Sequence, residues 1–286
     1  VRSGFVALAG RPNVGKSTLL NALCGGKVAI VSDKPQTTRL RIQGVASGDG
    51  YQLVLVDLPG FQRPRDALTE RMQRTVDQGL ADVDALCLVL AADEPLGAGD
   101  RFVARRVFAG DAPVVIVLNK VDRLRPSQIA ARIAEAATLG DFRALHPVSA
   151  RTGDGIPALR ADLAALLPDG PAYFAAEERT DLPLELRVAE LVREQALALT
   201  REEVPHAITV EVEEILGARV VASVLVETNS QKQILVGKGG AMVKEIGTRA
   251  RPEIEAVLGH KTFLELHVKV RPRWRRDGQL LQRLGM

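Results

Sequence analysis

Gly10-Arg11-Pro12-Asn13-Val14-Gly15-Lys16-Ser17 fits the pattern G-x-x-x-x-G-K-[ST]. The apolar stretch Phe5-Val6-Ala7-Leu8-Ala9 precedes it, and Ser17-Thr18-Leu19-Leu20-Asn21-Ala22-Leu23 follows with helical character. Strand, tight loop and helix are expected in that order. Glycine at both ends lets backbone N–H groups turn inward onto an anion. The helix that follows points its positive N-terminal end at the same place. The pattern predicts a cradle for a nucleotide's phosphates built from Gly10, Asn13, Val14, Gly15, Lys16, Ser17 and Thr18. Lys16 would reach the outer phosphates, and the Ser17 hydroxyl would ligate Mg2+.

Residues downstream choose the base. Asn119-Lys120-Val121-Asp122 comes directly after the apolar run Val114-Val115-Ile116-Val117-Leu118. It therefore falls at the carboxyl end of a buried strand, where open α/β sheets bind ligands. The Asp122 carboxylate can accept from N1–H and the exocyclic amino group of guanine. Adenine offers no such pair and would leave a charged acceptor unpaired. Asn119 can tie this loop to the phosphate loop, and the stem of Lys120 can cover the base. A plain polar turn is the alternative, since Asn and Asp are common at strand ends.

Val54-Leu55-Val56 runs into Asp57-Leu58-Pro59-Gly60, a strand ending in Asp-x-x-Gly. Asp57 would hold Mg2+ through a water, and the Gly60 N–H would meet the γ-phosphate. His146-Pro147-Val148-Ser149-Ala150 is a further strand end whose Ser149 and Ala150 backbone can touch guanine O6. Between the phosphate loop and Asp57 lies Pro35-Gln36-Thr37-Thr38-Arg39. A threonine here is expected to close over Mg2+ while the γ-phosphate is present, and Thr38 is preferred to Thr37. The expected catalytic set is Lys16, Thr38, Asp57 and Gly60, with Ser17, Thr38 and Asp57 serving the metal. Five elements thus occur in the order found in Ras-like, translation-factor-class GTPases, and GTP or GDP is the expected ligand.

At 286 residues the chain can form about two domains with separate cores. No apolar run approaches the roughly twenty residues that span a bilayer. Val1 leads at once into the expected first strand, so no signal peptide is expected. Cys24 and Cys87 are the only cysteines; they read as small core residues of a reducing compartment. A cytoplasmic monomer is expected. Strands near 5–10, 53–57, 85–90, 114–118 and 145–148 alternate with helical stretches such as 127–139 and 156–167. That predicts an α/β domain over 1–170 with a doubly wound, mostly parallel sheet. Pro168-Asp169-Gly170-Pro171 stops the last helix and opens a linker over 171–180.

Residues 181–286 carry a different pattern, that of a smaller α+β domain. A helix is expected over 181–200, followed by two hairpin strands, 207–215 and 220–227, around Gly217-Ala218. Ile234-Leu235-Val236-Gly237-Lys238-Gly239-Gly240 enters a helix from Ala241. A second helix over about 249–258 then leads to a strand over 262–270. The order α-β-β-α-α-β, with a G-x-x-G turn between paired helices, resembles the type II K homology domain. That likeness implies a clamp on the sugar–phosphate backbone of about four single-stranded nucleotides, with Lys238 adding a phosphate contact. The bland alternative is a structural turn. From Lys232 to Arg276 there are 11 Lys or Arg against 4 Glu, a balance of +7 in a chain whose net charge is +3. Basic charge is therefore concentrated beside the turn, as a nucleic-acid surface requires. Gly237, Lys238, Gly239, Gly240, Lys244, Arg271, Arg273, Trp274, Arg275 and Arg276 are the expected RNA contacts. For Trp274 two readings stand: stacking on a base, or packing on its own domain.

With both halves in view, the chain resembles the Era family of bacterial GTPases across nearly its whole length, including Pro35-Gln-Thr-Thr-Arg39 and Asp57-x-Pro-Gly-Phe-Gln-x-Pro64. The resemblance implies a switch in which the K homology domain binds the 3′ end of 16S rRNA during maturation of the small ribosomal subunit. It also implies peripheral association with the inner membrane in some members. Other readings are a different ribosome-assembly GTPase of the same layout, a signalling GTPase whose second domain binds protein, and an RNA-binding module in which GTP is structural. Phe61 stands where Ras-like proteins place a water-orienting glutamine, and Gln62 beside it should point elsewhere. Slow intrinsic hydrolysis is expected. Phe61 and Asn13 together resemble a subclass of which some members use K+, so Asn13 is a candidate K+ ligand.

Overall fold

The computed structural model describes every residue except Pro35, Gln62 and Arg63. Two compact units emerge. The first comprises Val1–Ala29, Thr38–Arg63 and Met72–Asp181; the second comprises Ile30–Thr37, Pro64–Arg71 and Leu182–Met286. The sequence boundaries are drawn differently. Residues 171–180 belong to the first unit, whereas 30–37 and 64–71 group with the C-terminal residues.

In chain order the first half contains β1 (Arg2–Ala9), α1 (Lys16–Cys24), β2 (Ile42–Gly48), β3 (Tyr51–Asp57), α2 (Ala67–Ala81), β4 (Ala85–Ala91) and α3 (Ala98–Val107). It continues with β5 (Val114–Asn119), α4 (Pro126–Ala136), β6 (Ala144–Pro147) and α5 (Ile156–Leu166). The sheet order is β2-β3-β1-β4-β5-β6. Only β2 runs antiparallel to its neighbour. Strand β4, residues 53–56 of β3 and residues 114–118 of β5 are continuous apolar runs buried on both faces, as a parallel sheet covered by helices requires. Register places Leu8 beside both Asp57 and Cys87, and Ala91 beside Asn119. The phosphate loop, Asp57 and Asn119 therefore leave the sheet at the carboxyl ends of parallel strands, where the strand order switches sides at β1.

Strand β2 escapes sequence reading because Gly44 and Gly48 interrupt its alternation. A Cβ at Gly44 would lie 2.7 Å from Cys24 Sγ and 2.8 Å from Leu20 Cδ1, so α1 packs against bare backbone there. The expected linker is a strap. Gln52 Oε1 accepts from the N–H of Tyr173 (2.7 Å) and Phe174 (3.0 Å), Val45 N donates to Arg179 O (2.8 Å), and the Tyr173 ring lies 4.9 Å from that of Phe5.

The second half contains α6 (Leu184–Leu199), α7 (Val204–Ala207), β7 (Thr209–Leu216), β8 (Arg219–Val226), α8 (Asn229–Val236), α9 (Ala241–Leu258), β9 (Phe263–Val270) and α10 (Gly278–Arg283). Its sheet is ordered β7-β8-β9, with β9 parallel to β8. Residues 241–258 form one helix, not two: Ile246, Ala250 and Ile254 make a continuous buried stripe. The other helix of the pair is α8. Its signal was legible as Thr228 and Gln231, which form a reciprocal cap at its start. Among the described residues no helix is long and apolar enough to cross a membrane.

Trp274 is wholly buried, and its indole Nε1 donates to Ala207 O at 2.7 Å. A ring held this way cannot stack on a base, so the packing reading replaces the stacking one. Arg275 is turned inward as well. Its Nε donates to Asp66 Oδ2 (2.6 Å) and its Nη1 to His206 O (2.8 Å), all within the second unit. Asp66 also caps α2 by accepting from Thr69 N at 2.9 Å. Burial alone would raise the Asp66 pKa, but Arg275 and Thr69 outweigh it and hold the carboxyl below its usual range.

Two stability predictions follow from these contacts. Trp274→Ala should cost about 3–5 kcal/mol of second-unit stability in urea titrations followed by circular dichroism. Unchanged stability with weaker RNA binding would restore a surface role. Because the Asp66 pKa is depressed, its pairing with Arg275 stabilises above the ordinary Asp value near ~4 and is lost as pH falls below it. Arg275→Met should therefore cost about 2 kcal/mol at pH 7, with the deficit shrinking in titrations run toward pH 3.

Candidate functional site

The phosphate loop runs from the end of β1 to the first turn of α1. Gly10 lies against the Val89 carbonyl, where a Cβ would come within 2.6 Å of that oxygen. Gly15 is left-handed (φ 97°), and a Cβ there would strike Asn119 Nδ2. Asn13 is also left-handed (φ 66°). Val14 is buried, and Thr18 is half-buried in the first turn of α1. The Lys16 ammonium curls over the loop and donates to the carbonyls of Gly10 (3.1 Å) and Arg11 (3.0 Å). Burial lowers its pKa, while the charge of Asp57 opposes the shift.

Ser17, Thr38 and Asp57 converge. Ser17 Oγ donates to Asp57 Oδ2 at 2.6 Å and lies 3.0 Å from Thr38 Oγ1, which is 3.4 Å from the same carboxylate oxygen. Thr37 does not join them: its hydroxyl donates to Lys34 O at 2.6 Å. Asp57 is wholly buried, and its Oδ1 has no hydrogen-bond partner among the described residues. Burial pushes this carboxyl up, opposed by Lys16 and by the two hydroxyls. A buried carboxylate oxygen without a donor, beside two hydroxyls, suits a hard cation with oxygen ligands. The close packing of Gly60, where a Cβ would sit 2.9 Å from the Pro12 ring, keeps the backbone after β3 beside the phosphate loop.

Phe61 lies in the hydrophobic core, 8% exposed. Its ring meets that of Phe102 edge-on at 6.2 Å, and the Arg106 guanidinium lies 5.9 Å from its centroid. Gln62 and Pro35 lie outside the described residues.

At the base-reading end, Asn119 Nδ2 donates to Val14 O (3.0 Å) and its Oδ1 accepts from Ala150 N (3.0 Å). Asp122 Oδ1 accepts from Ser149 Oγ at 2.7 Å, and Oδ2 from Arg151 at 2.8 Å. The Ser149 bond, aided by the Arg151 charge, holds the Asp122 carboxyl below its usual range, so it stays ionised. Lys120 is left-handed (φ 68°), and its ammonium lies 3.6 Å from Asp93.

Sequence reading missed Arg151, Asp93 and Arg11. Arg11 ties the loop to α3 through Asp100 (2.7 Å) and reaches Glu94 (3.0 Å). No motif marks these residues, because each acts across a distance in sequence that only folding closes.

The expected RNA residues divide. Gly237 closes α8 at φ 70°, ψ 175°, a region open essentially to glycine alone, and a Cβ there would lie 2.8 Å from Met242 Cβ. Gly239 (φ 60°) and Gly240 (φ 80°) have open space around them. Lys238 and Lys244 are exposed. A hollow of about 400 Å³ lined by Asn229, Lys232, Gln233, Val236 and Gly237 adjoins the turn. Arg271, Arg273 and Arg276 are exposed, although Arg271 is paired with Asp277 at 2.7 Å. Trp274 and Arg275 leave the set because both point inward.

A family described as 50S ribosome-binding GTPase matches residues 5–120, and a KH domain family matches residues 203–275. GTPase Era of Mycobacterium tuberculosis is 44% identical, with 99% of this chain and 98% of that protein aligned. GTPase Era of Leuconostoc citreum is 43% identical over 99% of this chain and 96% of its own length. Crystal structures of Aquifex aeolicus Era with GDP and AlF4−, and of Era with MgGDPNP and nucleotides 1506–1542 of 16S ribosomal RNA, both superpose with a TM-score of 0.95 at 37% identity. Each covers 100% of this chain and 99% of its own. By sequence, by both domains and by fold over its whole length, the chain belongs to the Era family of GTPases.

Proposed function

We propose that this chain is a GTP-hydrolysing switch that grips single-stranded RNA at the 3′ end of 16S rRNA during assembly of the small ribosomal subunit in the cytoplasm. The observation that carries the switch is the trio of Ser17, Thr38 and Asp57: both hydroxyls meet Asp57 Oδ2, and the buried Oδ1 has no donor among the described residues. Lys16 supports it as a buried cation whose present partners are neutral carbonyls. The phosphates of GTP would supply the missing negative charge, cradled by the loop N–H groups and the positive end of α1. Asp122, kept ionised, would accept from both guanine donors once Arg151 yields Oδ2. Lys120 would cover the base, with the Ser149 and Ala150 backbone at O6.

Ser17 and Thr38 would hold Mg2+ directly and Asp57 through a water. Held there, Mg2+ would supply positive charge against the negative charge that develops on the phosphate oxygens. Lys16 and the Gly60 N–H would stabilise the transferring phosphoryl group. With the Phe61 ring packed in the core, residue 61 leaves the attacking water unaligned, so intrinsic turnover should be slow. Asn13, in its left-handed turn, is the proposed ligand for a stimulating K+.

For RNA the support is the exposed turn at Gly237–Gly240, whose backbone lies open to another backbone, with Lys238 and Lys244 beside it. The relative solved with MgGDPNP and nucleotides 1506–1542 of 16S ribosomal RNA supports the choice of target.

A short RNA matching that 3′ end should bind more tightly with a non-hydrolysable GTP analogue than with GDP. Gly239→Asp is a clean probe, because Asp tolerates the left-handed conformation and the space is open. Its charge should weaken RNA binding by at least about tenfold while GTP hydrolysis persists. RNA binding in neither nucleotide state would remove the rRNA assignment, and strong binding without sequence preference would point to another assembly GTPase of this layout. Replacing Na+ by K+ should raise kcat about tenfold, and Asn13→Ala should abolish the difference. Equal rates in both salts would reject the K+ site.

A further inference from the structure

Arg11 fills an open position of the phosphate-loop pattern, which assigns it no task, yet it is held by its side chain and by its backbone. Its Nε donates to Asp100 Oδ1 at 2.7 Å, and its Nη2 reaches Glu94 Oε2 at 3.0 Å. Asp100 lies in the first turn of α3 and is buried; its other oxygen accepts from Gly97 N at 2.9 Å. The stem of Arg11 passes close over α3, where a Cβ at Gly99 would come within 2.6 Å of Arg11 Cδ. At the backbone, the Arg11 carbonyl accepts from the Lys16 ammonium at 3.0 Å, beside that of Gly10 at 3.1 Å. All of these residues belong to the first compact unit.

Stability alone gives no reason for this arrangement. An ion pair with a buried carboxylate contributes no more than apolar residues of the same volume, and often less. The cap on α3 needs no charge either, since a neutral amide oxygen at residue 100 could accept from Gly97 N as well. The Glu94 side chain is 54% exposed, so Asp100 is the partner that counts. What the Arg11–Asp100 pair adds is direction. A short, charge-assisted guanidinium bond keeps residue 11 from turning. That same residue presents one of the two carbonyls that hold Lys16, a buried cation whose aim decides where its charge falls.

We infer that Arg11 and Asp100 are positioning residues for GTP binding and hydrolysis: their ion pair fixes the Arg11 carbonyl, which aims the Lys16 ammonium at the nucleotide's outer phosphates. The inference rests on the proposed role of Lys16 at those phosphates. Without the pair the loop keeps its glycines and its N–H groups, so the loss falls on the aim of Lys16 and not on the whole cradle.

The test uses the full-length chain. Affinities for GDP and for a non-hydrolysable GTP analogue with Mg2+, kcat, and urea stability without nucleotide are measured. The variants are Arg11→Met, Lys16→Met, Arg11→Met/Lys16→Met and Arg11→Met/Asp100→Asn. Arg11→Met should weaken both nucleotides and lower kcat, each by about tenfold, a usual coupling between contacting groups. Arg11→Met/Asp100→Asn leaves no buried charge unpaired, so it should regain stability but neither affinity nor kcat. In the Lys16→Met background Arg11→Met should cost nothing further, because Arg11 acts through Lys16. Ordinary affinity and kcat in Arg11→Met/Asp100→Asn would make the pair a matter of stability alone and overturn the inference. So would an undiminished loss in the Lys16→Met background, or no loss in Arg11→Met. If Lys16→Met itself leaves affinity and kcat unchanged, the reading of Lys16 fails and takes the inference with it. If Lys16→Met lowers both while Arg11→Met does not, the inference alone fails.

Discussion

The site depends on one buried amide. Asn119 spends its two polar atoms on backbone of two other loops, donating to Val14 O and accepting from Ala150 N. It thereby fixes the phosphate loop, the end of β5 and the loop after β6 in one register. Gly15 must lack a side chain because Asn119 Nδ2 occupies the space where a Cβ would stand. A charged or larger residue at 119 would either lose one of the two bonds or displace the loop. Asn119 thus ties the phosphate loop to the loop after β6 before any nucleotide arrives, which lowers the ordering cost of binding.

Charge within that frame is deliberately incomplete. Lys16 and Asp57 are both buried, and each shifts in the direction that burial dictates, Lys16 down and Asp57 up. The low-dielectric surroundings that make them costly would also strengthen any contact they make with an opposite charge. Asp122 shows the opposite balance. It is held ionised chiefly by the Ser149 hydroxyl, with Arg151 as a movable partner on the other oxygen. A group that must exchange partners suits the more accessible end of the site, and groups that must stay dry lie at the base of the loop.

The C-terminal basic run shows why charge counts do not locate a surface. Arg271, Arg273, Trp274, Arg275 and Arg276 are close in sequence, but a short 3-10 turn over Trp274–Arg276 sends them different ways. Trp274 goes to the core and Arg275 to Asp66, while Arg273 and Arg276 stay in solvent. Apolar area and a carboxylate partner decide the direction, and both come from residues distant in the chain.

Local chemistry made much of this protein legible in its sequence. The phosphate loop, Asp57, the Asn119–Asp122 turn and the G-x-x-G turn are short motifs whose backbone demands are written in glycine and proline positions, so order along the chain was enough to find them. Strands β3, β4 and β5 were equally plain, since burial on both faces demands unbroken apolar runs. Strand β2 was hidden by Gly44, present because α1 packs there, and the strap over 171–180 was hidden because backbone bonds to Gln52 and Val45 hold it. The inward turns of Trp274 and Arg275 and the union of 241–258 into one helix were decided only by tertiary structure. Each depends on which distant donor, acceptor or cavity a side chain meets once the chain is folded, and neither residue type nor spacing encodes that meeting.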